Sequence, residues 1–207
     1  ACISFIDAQV GRVIAELDRL GLARNTVIIF WSDHGFHLGE HNLWCKTTNY
    51  ELDTRVPLIV AAPGIAGGKR AGGLVELLDV YPSLTEMCGL PLAAGVEGRS
   101  FVPLLRDPAR PGKTYAISQH PHPSYGGAAT HMGYTVRSDE LRYVEWRDTK
   151  TGALSARELY DHRVDSAESR NRIDDPAYEA RMKPLARRAE ELAAGSGRWP
   201  AVTSSKR

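Results

Sequence analysis

The sequence predicts an α/β fold followed by a small antiparallel sheet with a C-terminal helix. Three observations carry this reading. Two apolar runs, "VIIFW" from Val27 and "VPLIVAAPG" from Val56, show no polar alternation, the pattern of strands covered on both faces as in a parallel sheet. Stretches with helical spacing flank them, which is the grammar of an α/β sandwich. After about residue 112 the pattern changes to alternating segments joined by a tight turn, the signature of antiparallel hairpins.

Each element follows in order. Ile6, Val10, Val13, Ile14, Leu17 and Leu20 share a helical face, and Gly21 stands where a C-cap glycine belongs. That helix is under way within a few residues of Ala1, with no initiator Met and no signal-peptide pattern, so the chain is expected to be a piece of something longer. "NTVIIFWS" is the first strand, and the second stops at Pro63-Gly64. In "LDVYPSLTEMCGLP" Leu78, Tyr81, Leu84 and Met87 share a face, Pro82 lies in the first turn, and Gly89 ends the helix. "KTYAISQ" and "GYTVRSDELRYVEWRD" read as strands, the latter folding around Ser138-Asp139-Glu140, and "RELYD" as another. From Pro176 onward Tyr178, Met182, Leu185, Ala189 and Leu192 fall at helical spacing, so a last helix is expected to pack on that sheet. The expected organisation is the C-terminal part of an α/β domain over 1–112, a sheet-plus-helix subdomain over 113–195, and a disordered tail over 196–207.

Composition narrows the function classes. The chain has 207 residues, 43% hydrophobic and 25% charged, with net charge +1, so electrostatics implies neither a nucleic-acid nor a membrane partner. No apolar run approaches the ~20 residues of a membrane span. Cys2, Cys45 and Cys88 form no C-x-x-C pair, and an odd count argues against a disulfide framework. Cys45 and Cys88 are expected to be reduced.

The first strand delivers Asp33 and His34 to its tip within "SDHG". Ligands of open α/β sheets bind beyond the carboxyl ends of strands, and a carboxylate oxygen beside an imidazole nitrogen can serve a divalent cation. The alternative is that Asp33 caps the turn and His34 bonds to backbone. Lys46 follows twelve residues later, a compact charge suited to an anionic oxygen; its ordinary alternative is a solvated surface lysine. Glu51 and Arg55, one helical turn apart, read as an ion pair fixing the loop beneath Lys46; the alternative is direct contact with substrate. His120 and His122 in "QHPHPSYGG" are expected in a Pro- and Gly-rich loop outside regular structure. His37, His131 and His162 are read as structural or solvent-exposed. Arg137 has either face open to it, and Arg181, Lys183, Arg187 and Arg188 read as a solvated face balanced by Glu179, Glu190 and Glu191.

The string "SDHGFHLGEHNLWCKTTNYELDTRVPLIVAAPG" resembles the sulfatase family of the alkaline phosphatase superfamily, and within it the iduronate-2-sulfatase branch, which has S-D-H-G, L-G-E-H, W-x-K and V-P-L-I in this order. "VELLDVYPSLTEMCGLP", "EGRSFVPLLRDP", "ISQHPHPS", "MGYTVRSDELRYVEW" and "ELYDHRVDSAESRNRIDDP" extend the likeness along nearly the whole chain. The resemblance implies the C-terminal part of an alkaline-phosphatase-like sandwich. It implies calcium held by Asp33 and His34, and Lys46 contacting the sulfate of a bound ester. It implies sulfated carbohydrate as substrate, with His120 and His122 as candidate contacts to an anionic sugar; the alternative is a loop whose histidines do nothing. His41 is a candidate proton donor on position alone, with a structural loop histidine as the favoured alternative. The family's nucleophile is a formylglycine made from Cys in C-x-P-x-R, and none of the three cysteines is followed by that pattern. The resemblance therefore implies an N-terminal sulfatase portion as partner and an isolated chain that is inert, either a natural light chain or a truncated product. Two other readings stay open: a phosphate or phosphonate monoester hydrolase of the same superfamily, and a non-catalytic fragment. The expected setting is periplasmic, secreted or lysosome-like.

Overall fold

A computed structural model of the protein describes residues 1–124 and 126–195; the expected tail over 196–207 lies outside them. Contacts group the chain into two units. The first comprises Ala1–Trp31, Pro57–Gly72 and Leu77–Arg110, and the second Ser32–Val56, Gly73–Glu76 and the residues from Pro111 onward.

In the first unit, helix α1 (Cys2–Arg19) closes as its glycine predicts. Gly21 adopts φ +69°, and the Leu22 N–H donates to Leu17 O at 2.9 Å while the Gly21 N–H donates to Asp18 O at 3.0 Å. This is the paired C-terminal bond set of a Schellman motif. Strand β1 (Ile28–Trp31) pairs with a later strand over Leu58–Ala61, from Ile28↔Ala61 to Trp31↔Leu58. The pairing is antiparallel, not parallel as the unbroken apolar runs suggest, and Phe30, Trp31 and Ile59 stay exposed. An apolar run reports what a strand would bury and carries no information on direction. The Val80–Met87 helix departs in the same sense. Its expected apolar face is exposed at Leu78, Tyr81 and Leu84, whereas Pro82, Ser83 and Thr85 are buried. The polar side has a partner within the unit: Asp79 Oδ1 accepts from Arg99 N at 2.7 Å, and Ser83 Oγ accepts from Phe101 N at 2.8 Å. Phe101, Val102 and Leu104, at and within a short helix over Val102–Arg106, are the buried apolar residues there.

The second unit begins with strands β2 (His37–Leu38) and β3 (Trp44–Cys45), a short hairpin, and helix α2 (Glu51–Thr54). With the first unit's Leu58–Ala61 counted as β4, and its Val80–Met87 and Val102–Arg106 helices as α3 and α4, the sheet strands are β5 (Ala116–His122), β6 (His131–Arg137), β7 (Leu141–Asp148) and β8 (Leu154–Asp161). They pair antiparallel in that order. Helix α5 (Glu179–Gly195) covers one face, where Val136, Leu141, Tyr143 and Leu159 meet Leu185 and Ala189, with Tyr178, Met182 and Leu192 at the margin. The expected helix face is thus the observed one. The expected loop around His120 and His122 is not: both lie in β5, paired with Gly133 and His131. β5 is an edge strand, where a proline's missing N–H leaves no ladder bond unmade on the open side. The opposite face of this sheet carries Gly133, Arg137, Arg142 and Trp146, and against it lies the segment around Asn49: a Cβ on Gly133 would stand 2.2 Å from Asn49 Nδ2.

Candidate functional site

The tip at Ser32–Gly35 is built within the second unit. Ser32 Oγ donates to His34 O at 2.7 Å. His34 Nδ1 lies 2.7 Å from Gly35 O; a carbonyl only accepts, so Nδ1 carries the proton and Nε2 of the neutral ring keeps its lone pair. Lys46 Nζ donates to that nitrogen at 2.6 Å. Asp33 Oδ2 stands 3.6 Å from the same nitrogen, with its side chain 82% exposed. Of the two sequence alternatives for His34, the backbone bond is present through Nδ1, while Nε2 accepts from Lys46. Gly35 is required here: its N–H donates to Asp53 O and that of Phe36 to Leu52 O, and a Cβ on Gly35 would fall 1.6 Å from Leu52 O. The acidic residue, the histidine and the glycine of "SDHG" are thus one turn docked on α2.

Lys46 is flanked by two residues in left-handed backbone conformation, Cys45 at φ +73° and Thr47 at φ +89°. Such conformations cost roughly 1–3 kcal/mol each and persist only when the surroundings over-determine them. The surroundings here are specific. Thr48 N and Thr48 Oγ1 both donate to Asp53 Oδ2 at 2.7 Å, and His37 Nε2 donates to Thr48 Oγ1 at 3.1 Å. His37 is fully buried, so of its two expected states the structural one holds. His41, at φ +56°, stacks flat on Tyr50 with ring centroids 4.0 Å apart. Its ring contacts are with Tyr50 and His37.

Glu51 is bonded within the protein, but its expected partner is a minor one. Arg55 approaches only to 3.8 Å and is 79% exposed, a geometry worth little. The strong partners come from the sheet. Arg142, 1% exposed, bonds Glu51 through Nη2, Glu168 Oε1 through Nε at 2.5 Å, Asn49 O through Nη1 at 3.1 Å and Thr54 Oγ1 through Nη2 at 2.9 Å. Arg137 Nε donates to Glu51 Oε2 at 3.1 Å and its Nη2 to His162 Nδ1 at 3.1 Å, and His162 Nε2 donates to Glu168 Oε1 at 2.8 Å. Burial pushes the Glu51 carboxyl up, yet the Arg142 and Arg137 guanidiniums outweigh it and hold the group below its usual range. Burial likewise raises Glu168, and the His162 bond with the Arg142 charge brings it down. Glu51, His162 and Glu168 offer ligand atoms within 4.8 Å of one another, but two guanidiniums already supply the positive charge. Arg142 and Glu168 were not singled out from sequence. The available signal was parity: Arg142 shares the sheet face of Arg137, across the register pair.

His120 lies half-buried with Nε2 2.7 Å from Ser124 Oγ, and that hydroxyl reaches Thr47 O at 3.3 Å. Burial lowers its pKa, against an opposing pull from Asp53, so the ring favours its neutral form. His122 is exposed, edge-on to Trp146 at 6.1 Å. The structure therefore gathers Asp33, His34 and Lys46 at one point and ties His120 to the adjoining residue Thr47. Cys2, Cys45 and Cys88 are free and exposed, and no helix among the described residues is long and apolar enough to cross a membrane.

Comparison with known proteins bears on the family and the fold. The family model described as Sulfatase matches residues 1–90. A protein named Sulfatase from Formosa agariphila is 33% identical over 185 residues, covering 89% of this chain and 34% of the relative. Human iduronate 2-sulfatase is 31% identical over 201 residues, covering 70% of this chain and 36% of the relative. Among solved structures, one described as a 2-O GAG sulfatase superposes with TM-score 0.78 at 27% identity, over 92% of this chain and 41% of that one. The phosphonate monoester hydrolase of Silicibacter pomeroyi superposes with TM-score 0.74 at 28% identity, over 97% and 40%. The chain spans about a third of the length of the curated relatives it matches. With the strand-tip motif, the α/β architecture and these likenesses in agreement, the chain belongs to the sulfatase family.

Proposed function

We propose that this chain supplies the metal-ligand and sulfate-contact portion of a calcium-dependent sulfatase acting on sulfated carbohydrate. The observation that carries the reading is the convergence of Asp33 and Lys46 on Nε2 of His34. Of the two donors, the Asp33 carboxylate suits calcium, and the His34 nitrogen is a softer ligand than the oxygens that make up most calcium sites. Asp33 Oδ2 and His34 Nε2 are 3.6 Å apart, the separation of neighbouring ligands on an ion with bonds of about 2.3–2.6 Å. The Gly35 carbonyl fixes the ring tautomer, the usual outer-sphere arrangement of a ligating histidine. The Nε2 lone pair would turn to the ion once Lys46, which donates to it in this structure, bonds the sulfate instead. Two ligands leave an ion that takes about 6–8 donors underfilled, so the remaining donors and the nucleophile are assigned to an N-terminal sulfatase portion. The exposed apolar residues of α1, Ile3, Phe5 and Val13, support such a partner.

Calcium would polarise a sulfate oxygen when bound. Lys46 would place a fixed ammonium on the same group, held in a strained and therefore preorganised loop. His120, neutral because it is buried, would present a hydrogen-bonding edge to the sugar beside that loop, with exposed His122 further along β5. For His41 we keep the structural role, since its ring is stacked on Tyr50. The setting we propose is periplasmic, secreted or lysosome-like. A second reading, phosphonate monoester hydrolysis, is favoured by the Silicibacter pomeroyi neighbour.

The test is co-expression of this chain with an N-terminal sulfatase portion carrying C-x-P-x-R, assayed on sulfate, phosphate and phosphonate esters. Sulfate ester hydrolysis is expected only when both are present. Asp33→Asn should lower calcium content and depress turnover by orders of magnitude, and Lys46→Met should cost about 2.7–4 kcal/mol, or roughly 10²–10³ in kcat. Hydrolysis by the chain alone, or near-parental turnover in both variants, would overturn the reading. Preference for phosphonate would replace it with the second.

A further inference from the structure

We infer that Arg142 is a positioning residue for Lys46, acting through the segment Asn49–Thr54. The site it serves is the one proposed above, and in that respect the inference rests on that reading. Three of its four partners, Asn49 O, Glu51 and Thr54 Oγ1, lie within six residues of sequence that begin just past Lys46. The fourth, Glu168, closes the ring by accepting the Glu51 N–H at 2.7 Å. A single guanidinium thus ties the start of α2 to strand β7 and to the Glu168 loop.

The arrangement is out of proportion to what stability needs. The apolar core of this unit lies on the other sheet face, against α5, and a buried ion pair is often no better for stability than an apolar replacement of similar volume. What the charge supplies is direction. A planar fork meets several acceptors at fixed angles, which neither an apolar group nor a point charge can do. From Asn49 the constraint reaches Lys46 with little slack. Thr48 is pinned by two bonds to Asp53 Oδ2, Asp53 N donates to Tyr50 O within the clamped segment, and Asp53 O in turn holds Gly35 of the tip. Both sides of the His34–Lys46 contact therefore hang on the segment that Arg142 grips.

The experiment uses the 207-residue chain and needs no ester, so it stands or falls separately from the sulfatase assay. Arg142→Lys keeps the charge and loses the fork; Glu51→Gln removes the opposing charge with little change in shape. Glu145→Gln is the control, because Glu145 is equally buried on the same strand and pairs with Arg147 at 2.5 Å on the α5-facing side. Two readouts are taken: amide exchange at Thr48, Asp53 and Thr54 against Val136, Tyr143 and Leu159, and acylation of Lys46 by an amine-reactive ester against exposed Lys150. Arg142→Lys and Glu51→Gln should each speed exchange in the segment by about tenfold or more relative to the core, as local opening does, and raise Lys46 acylation relative to Lys150. Glu145→Gln should leave both ratios unchanged. Equal acceleration in segment and core, no change, or the same response in Glu145→Gln would each overturn the inference. If Arg142→Lys does not fold, Glu51→Gln decides the matter from the other end of the pair.

Discussion

The two units treat apolar side chains in opposite ways. In the second, Val136, Leu159 and Ala189 are wholly buried and Leu141, Tyr143 and Leu185 nearly so, and α5 meets the sheet with the face that its spacing predicts. In the first, α1 has no buried residue at all, and Ile3 at 87%, Phe5 at 64% and Val13 at 61% exposure are covered by nothing in the unit. Its buried contacts instead gather around Asp79, Ser83 and Phe101. The difference teaches that the second unit holds its own core, whereas the first leaves the apolar face of its main helix exposed. Burial of a Leu- or Phe-sized side chain stabilises by about 1.5–3 kcal/mol, and only the second unit collects that contribution from its main helix.

Substitution should expose this asymmetry, with the largest effect in the core. Leu159→Ala, at 0% exposure, should destabilise the chain by about 2–5 kcal/mol, read by urea unfolding. A loss below about 1 kcal/mol would mean that the β8–α5 interface is not the core described here. The next effect is a pH dependence confined to the second unit's charged face. Glu51 and Glu168 sit below their ordinary value of 4.5, so the stability they contribute is present above about pH 4.5 and is lost as pH falls through their depressed values. Unfolding followed at Trp146, which shares this face, should therefore show its steepest acid loss below pH 4.5, and a loss centred near pH 6–7 would point to the histidines instead. The smallest effect belongs to α1. Phe5→Ser and Val13→Ser should each change the stability of the isolated chain by no more than about 0.5 kcal/mol, while weakening capture by an N-terminal sulfatase portion. A large loss of stability in the isolated chain would show that these side chains are already covered.

Much of the second unit was legible because its signals are local. Alternation marks β6 and β7, Ser138-Asp139-Glu140 marks their turn, and the spacing from Tyr178 to Leu192 marks the buried face of α5. The strand tip was legible for the same reason: Asp33, His34 and Gly35 are consecutive, and Lys46 follows in a recognisable motif. β5 was misread because Pro121 and Pro123 argue against a strand interior, and only the position of β5 at the sheet edge makes room for Pro121. The antiparallel pairing of β1 with β4 was missed because hydrophobicity along a strand is blind to the direction of its neighbour.

By itself the sequence determined the main helices α1, α3 and α5, the strands β1, β4, β6 and β7, the caps that end α1 and α3, the ligand-type residues at the strand tip and the family to which they belong. Each of these depends on residues within a turn or a short motif of one another, where covalent geometry and hydrophobic period leave few choices. Tertiary structure alone decided that Nε2 of His34 faces Lys46, that Thr47 meets Ser124, and that Glu51 answers to Arg142 and not to Arg55. Those pairs are 12, 77 and 91 residues apart, and no local preference encodes them. They form because the β5–β8 register brings His120 and Arg142 onto one sheet face, and because a buried charge must find its partner wherever the fold supplies one.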